Sequence, residues 1–281
     1  KKEGQGGGRR VVLSRPEYST EGRERQKILL RRTRNIAMGA AAAIVVFIGT
    51  YNFFLKPMRA KKLIDSGTRI IRQVSDSKFE DYREAEAIFQ KVDEDLVKDY
   101  IYGYNEYARA YLDRKEYLSS MKKLNKAYNI ASDKNFNNSF LDVLTGNRQA
   151  PVEVLNNLGY FYSRKKDARF DDFFDKSVRL NLNEYYFDRH PPLDQIGTQY
   201  DLALDFYKKA LNKDDKNVNT LLGIGDVYMN QEQYLKARSY YENILKVDKN
   251  NIAGLSGLLN LFIIQDNFPE LIKTYVRLRD D

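Results

Sequence analysis

LLGIGDVYMNQEQYLKARSYYENILKV, residues 221–247, is matched 34 positions later by LSGLLNLFIIQDNFPELIKTYVRLRDD, residues 255–281. Leu221, Ile224, Tyr228, Ala237, Tyr241 and Ile244 recur as Leu255, Leu258, Phe262, Leu271, Tyr275 and Leu278. One period earlier, Ala203, Tyr207 and Ala210 stand in phase with Ala237, Tyr241 and Ile244. A unit of this length with its apolar residues on two helical faces is a helical hairpin. It cannot bury its apolar side alone and must stack on copies of itself. Gly225 has a mechanical reading: without a Cβ it lets the paired helix lie close, Ala237 does the same from the opposite side, and Tyr241 fills the gap beyond.

These residues resemble the tetratricopeptide repeat, whose helix pair is marked by Leu-Gly, then Tyr, then Ala, an aromatic and Ala. Ile224-Gly225, Tyr228, Ala237 and Tyr241 follow that pattern. Leu155, Leu158-Gly159 and Tyr162 form another first helix, and Tyr104, Tyr107-Ala108, Tyr111, Leu124 and Ala127 a further unit in weaker agreement. Tyr82, Ala85, Phe89 and Val92 read as the second helix of a degenerate opening repeat. The resemblance implies an all-α, tetratricopeptide-repeat superhelical solenoid over residues 78–281. Gly159 is followed by its partner Ala203 after 44 residues, where Gly225 and Ala237 need 12, so about 32 residues are inserted at 164–195.

Ile36 to Leu55 carries no charge over 20 residues. At about 1.5 Å per residue that is roughly 30 Å, the thickness of a bilayer core. Arg31, Arg32 and Arg34 flank it on one side, and Lys56, Arg59, Lys61 and Lys62 on the other. About 35 residues precede it, and Tyr51, Phe53 and Phe54 stand where a small-residue cleavage site belongs, so the reading is an anchor rather than a secretory signal. The predicted organisation is a basic, Gly-rich tail at 1–35, a transmembrane helix at 36–55, a linker or juxtamembrane helix at 56–77, and the repeats. Gly39 and Ala43 form a small-xxx-small pair that admits a homo-oligomer through close approach of two spans, although an Ala-rich run produces such a pair by composition alone.

Six Lys plus Arg fall within 20 residues on either side of the span, a tie. The whole N-terminal segment holds 11, and long following domains translocate largely regardless of charge, so the positive-inside rule leans to a cytoplasmic N-terminus. That orientation implies an inner (cytoplasmic) membrane protein with a periplasmic repeat domain. A chain that begins without Met and stops as a repeat closes is expected to be longer at one end or the other.

The formal charge of +8 is unevenly spread. Residues 1–62 hold 15 of the 47 bases and 4 of the 39 acids, net +11, which leaves the remainder at −3. A repeat domain without basic excess argues against nucleic acid. Cysteine is absent, and the single histidine, His190, lies in a Pro-Pro turn. Neither a thiolate nor a multi-histidine metal site is available, no cofactor motif is present, and no catalytic constellation emerges. Asp171, Asp172 and Asp175 beside Phe173 and Phe174 read as a solvated face opposite an apolar one. Binding is the function class left.

First-helix positions line the inner groove of such repeats, here Asn105, Arg109, Leu112, Asn156, Tyr160, Asn219, Leu222, Asp226, Met229, Ser256, Asn260 and Ile263. Family members that grip acidic chaperone C-termini use Lys and Asn in the groove, and these Lys are missing. A peptide or helix with apolar and amide-compatible groups fits better. The insert carries Phe170, Phe173, Phe174, Tyr185, Tyr186 and Phe187, which read either as a partner-binding surface or as aromatics folded back onto the solenoid. Two functions follow: a membrane-anchored scaffold in a large envelope assembly, or an anchored co-chaperone or assembly factor that holds clients transiently. The N-terminal span, the Lys/Tyr/Asn-rich repeats and the interrupted repeat together resemble the collar proteins around the periplasmic flagellar motor of spirochaetes. That resemblance implies a motility role, with other collar subunits and torque-generating stator units as partners.

Overall fold

The structure is a computed structural model that describes residues 20–74, 82–132, 150–164, 167–179 and 198–280. It divides into two units, residues 1–55 and 56–281. In the first, helix α1 spans Thr20–Thr50 and ends in a π-helical turn, Tyr51–Leu55. Its apolar residues from Ile44 to Ile48 are all exposed. Among the described residues, the helical stretch Arg23–Gln73 is the one containing a window long and apolar enough to cross a bilayer, and none of that window is buried.

The second unit is helical throughout its described residues, and its helices pair in chain order. α2 (Lys56–Gln73) packs on α3 (Arg83–Lys91, prolonged by a π turn Val92–Leu96), and α4 (Ile101–Asp113) on α5 (Tyr117–Ser132). α6 (Ala150–Tyr162) pairs with α8 (Gln199–Leu211), and α7 (Ala168–Arg179) lies between them in sequence. α9 (Val218–Asn230) pairs with α10 (Tyr234–Val247), and α11 (Ile252–Ile264) with α12 (Phe268–Asp280). Each first helix also touches the next, through α2, α4, α6, α9 and α11. This is the expected all-α solenoid of tetratricopeptide-like hairpins. Pairing of α6 with α8 across α7 is the interruption that the Gly159–Ala203 spacing predicts.

The 34-residue period reaches down to the turns. Asn217 caps α9 by accepting from the Thr220 N–H at 3.1 Å, and Asn251, one period on, caps α11 from Ala253 and Gly254. Glu232 and Asp266 take left-handed φ values of 61° and 52° at the tip of their hairpins, and Lys115 takes 60° at that of α4–α5. In each case the next N–H closes back on the preceding helix: Glu116 to Tyr111, Gln233 to Tyr228 and Asn267 to Phe262, all at 2.8–2.9 Å. This satisfies carbonyls that the helix end leaves open.

Side-chain size sets the hairpin contact. A methyl group added at Gly225 would stand 2.5 Å from the Tyr241 ring, and at Gly159 2.7 Å from that of Tyr207, so only glycine fits. Ala237 is fully buried. Gly223 and Gly257, which the repeat pattern had not singled out, press on Tyr207 and Tyr241 from the following first helix. Each tyrosine is thus a wedge between two glycines, one from its own hairpin and one from the next.

Lys56–Gln73, expected as a linker or juxtamembrane helix, is a helix packed into the repeat unit. Ala60, Ile64 and Ile71 are fully buried, the Tyr107 ring closes over Gly67, and the Tyr107 hydroxyl donates to the Ala85 carbonyl at 2.7 Å. α2 is the first helix of the first hairpin. Its polar sequence hid this, because Lys61, Lys62, Arg69 and Arg72 fill the outer side of a strongly amphipathic helix.

Candidate protein-binding groove

The first helices α4, α6 and α9 present their free faces to one groove of about 680 Å³. Asn105 and Arg109 come from α4, Asn156 and Tyr160 from α6, and Leu222 and Asp226 from α9. With Asn219, seven of the twelve sequence-predicted groove residues therefore converge. Met229 instead packs against the core around Tyr241, and Asn260 is exposed on α11 outside the groove. Leu112 is corrected: it is 2% exposed and belongs to the core, one helical step too far round α4 to reach the groove.

The lining adds residues that the first-helix list missed, among them Glu106, Asp113, Glu153, Asn157, Arg164 and Asn230. Four carboxylates face two arginines, so the groove is acidic. Glu153 is held above the usual carboxylate range by desolvation and by Glu106, opposed by Arg109. Asp226 is raised by desolvation, against the hydroxyl of Tyr241, which donates to it at 2.8 Å. The Arg164 guanidinium lies 4.9 Å from the Tyr160 ring centre, which leaves a half-exposed aromatic plate on the groove wall.

Asparagines dominate the polar lining and are not equivalent. Asn156 is engaged by Asn217 and Thr220 of the next first helix, whereas Asn105, only 3% exposed, leaves both amide atoms without a hydrogen-bond partner. A buried amide with neither donor nor acceptor satisfied costs about 1–3 kcal/mol.

No protein-family model matches the chain, and no curated protein matches it. Among solved structures it is similar to the TPR2AB domain of yeast Sti1 in its pHSP90 complex, at 12% identity, over 79% of this chain and 90% of that one, with a TM-score of 0.28. The superposition is loose. The architecture stands on the helix pairing and the glycine–tyrosine wedges of this chain.

Where they are described, the insert aromatics fold back onto the solenoid, one of the two readings that the sequence leaves open, and Phe170 forms no exposed surface. It is fully buried, with its ring 5.1 Å from that of Tyr117 and 5.3 Å from that of Phe161. Phe173 and Phe174 are half-buried beside Tyr117 and Tyr162. Asp167 pins the start of α7, accepting from the Tyr117 hydroxyl at 2.6 Å and pairing with Lys115 at 3.1 Å. Tyr185, Tyr186, Phe187 and His190 lie outside the described residues. No group of acidic or histidine side chains among the described residues could hold a metal ion.

Proposed function

We propose that this chain is a membrane-anchored repeat scaffold that holds a basic or amide-rich segment of a protein partner in the groove between α4, α6 and α9. The acidic lining of the groove, with the half-exposed ring of Tyr160 on its wall, is the observation that carries this reading. The four carboxylates select Lys or Arg, and the ring offers an apolar face to the stem of either side chain. Ile36 to Leu55 serves as the span, since the residues from Ile44 to Ile48 are exposed on α1 and bilayer burial resolves that exposure.

The lean to a cytoplasmic N-terminus puts the solenoid on the periplasmic face of the inner membrane, as a structural subunit of an envelope assembly. The periplasmic flagellar collar is the setting that the interrupted, Tyr-rich solenoid behind an anchor fits best. Two measurements test this. A photocrosslinking residue at Tyr160 is expected to give discrete adducts in intact cells, and a smear or none contradicts the groove. A cysteine at Asn250, in a chain with none of its own, is expected to react with an impermeant thiol reagent before lysis. Reaction only after lysis places the repeats in the cytoplasm.

A further inference from the structure

The outer side of α2 is a cationic stripe. Arg59, Lys62, Ser66, Arg69 and Gln73 recur at steps of three and four residues, which sets them on one line along the helix, opposite the buried Ala60, Ile64 and Ile71. All five are exposed, and none is acidic. The charged residues on the flank of α2 nearer α4 already have partners. Arg72 pairs with Asp113 at 3.1 Å, Asp65 accepts from the Tyr102 hydroxyl at 2.8 Å, and the Lys61 ammonium stands 5.4 Å from the centre of the Tyr102 ring. Among the described residues, no carboxylate pairs with Arg59, Lys62 or Arg69.

The groove carries the opposite charge. Glu106 lies 3.7 Å from Arg109, and Asp113 is held by Arg72. Among the described residues this leaves Glu153 on α6 and Asp226 on α9 without an ion pair. Stripe and groove also match in length. Arg59 to Gln73 covers about 21 Å at about 1.5 Å per residue, and three first helices packed about 8–10 Å apart span about 20 Å. Lys62 and Arg69 are about 10 Å apart along α2, the step from one first helix to the next.

The stripe lies on the far side of α2 from Tyr102, Tyr107 and Asp113 of α4, so it does not reach the groove of its own chain. Both surfaces belong to residues 56–281. Copies anchored in one membrane therefore present stripe and groove on the same side of it, at the raised effective concentration that confinement gives.

We infer that the basic segment held in the groove is the α2 stripe of a second copy of this chain. The inference rests on the groove reading and names its partner. Lys62 and Arg69 of one copy meet Glu153 and Asp226 of the next, and Ser66 and Gln73 face its asparagine-rich lining. Two different faces meet, so the contact runs head to tail from copy to copy.

The test uses two differently tagged full-length chains co-reconstituted in neutral-lipid vesicles, one with Ser66→Cys and the other with Asn157→Cys, in a sequence that has no other cysteine. A short bismaleimide is expected to join the two tags in one product. Lys62→Glu with Arg69→Glu on the first chain should lower its yield about tenfold, and Glu153→Lys added on the second should restore part of it. No mixed product, or a yield that ignores these reversals, overturns the inference. A product only between two Ser66→Cys chains assigns the stripe to a symmetric contact and overturns it as well. Should Tyr160 photocrosslink to a different protein while no mixed product forms, the groove reading stands and this inference alone falls. A stripe seated on anionic headgroups instead would likewise give no mixed product, and a label at Ser66 would respond to phosphatidylglycerol added to the vesicles.

Discussion

Thr220 places its hydroxyl 2.7 Å from Oδ1 of Asn156, a hydrogen bond that ties α9 to α6. The Asn156 amide also donates to Asn217 at 3.2 Å, so the start of α9 is held by the preceding first helix. Asn105 occupies the same place on α4, registered by Ala108 and Gly159. The residues that correspond to Asn217 and Thr220 are there Pro151 and Val154, which have no hydrogen-bonding side chain. Two asparagines that look alike in sequence therefore differ in role: one is part of the framework and the other is buried with its amide unsatisfied.

This difference fixes the sign of two substitutions. Asn156→Leu removes both hydrogen bonds that tie α6 to the start of α9, those to Thr220 and Asn217, and should destabilise residues 56–281 by about 1–3 kcal/mol. Asn105→Leu removes an amide that is already unsatisfied and should raise the melting temperature or leave it unchanged. Thermal unfolding followed by circular dichroism distinguishes them, and a fall of equal size for both contradicts the assignment.

Gly257→Leu should drive a side chain into the Tyr241 ring and cost about 1–3 kcal/mol by overpacking. Gly225→Leu should act similarly from the other side of the same ring. Leu235→Ala, at a position 83% exposed, is the control and should leave the melting temperature unchanged. Unchanged melting of both glycine variants sinks the wedge.

A fragment beginning at Lys56 should fold cooperatively, and one beginning at Lys78 should not. The second lacks Ile64 and Ile71, which are fully buried, and uncovers the Tyr107 ring beneath Gly67. Equal helicity and equal melting of the two fragments would show that α2 is dispensable.

Phe170→Ala should cost about 3–5 kcal/mol, the range for emptying an aromatic site in a core. An insert that served only to reach partners would tolerate the change without loss of stability. Urea denaturation of residues 56–281 measures the difference.

Acid should weaken the Asp167 pin. The Tyr117 hydroxyl above all, with Lys115 and the Phe170 N–H, holds its carboxyl down to about 2, against the opposing effect of burial. A depressed carboxylate stabilises fully above its unfolded value of about 3.9, and that contribution is lost as pH falls through about 2. Glu153 and Asp226 are shifted the other way, so the comparison is made against Asp167→Asn, which keeps them. The stability gap between wild type and Asp167→Asn should shrink between about pH 4 and about pH 2. A constant gap contradicts the pin.

The hairpin positions and the inserted helix were legible because glycine, alanine and tyrosine recur at spacings that only stacked helices require. α2 was not, since its charged outer side masks three buried apolar residues in a segment without the repeat motif. The sequence leaves Phe170 open because an inserted aromatic looks the same whether it turns outward or inward, and only the rings of Tyr117 and Phe161 decide. The groove carboxylates went unnoticed for a related reason. Glu106 and Glu153 read as solvated helix surface until α4 and α6 bring them together. The orphaned amide depended on what the next helix lacks, which no motif records.

Co-purification with a groove variant tests the central claim most directly. Glu106→Lys with Tyr160→Ala reverses one groove carboxylate and removes the aromatic plate from its wall, and leaves the wedges and the span intact. Tagged wild-type and variant chains would be solubilised from native membranes and their associated proteins quantified. The account predicts equal membrane recovery and equal melting, with at least one stoichiometric partner of the wild type lost from the variant. Retention of every wild-type partner at unchanged stoichiometry would contradict it.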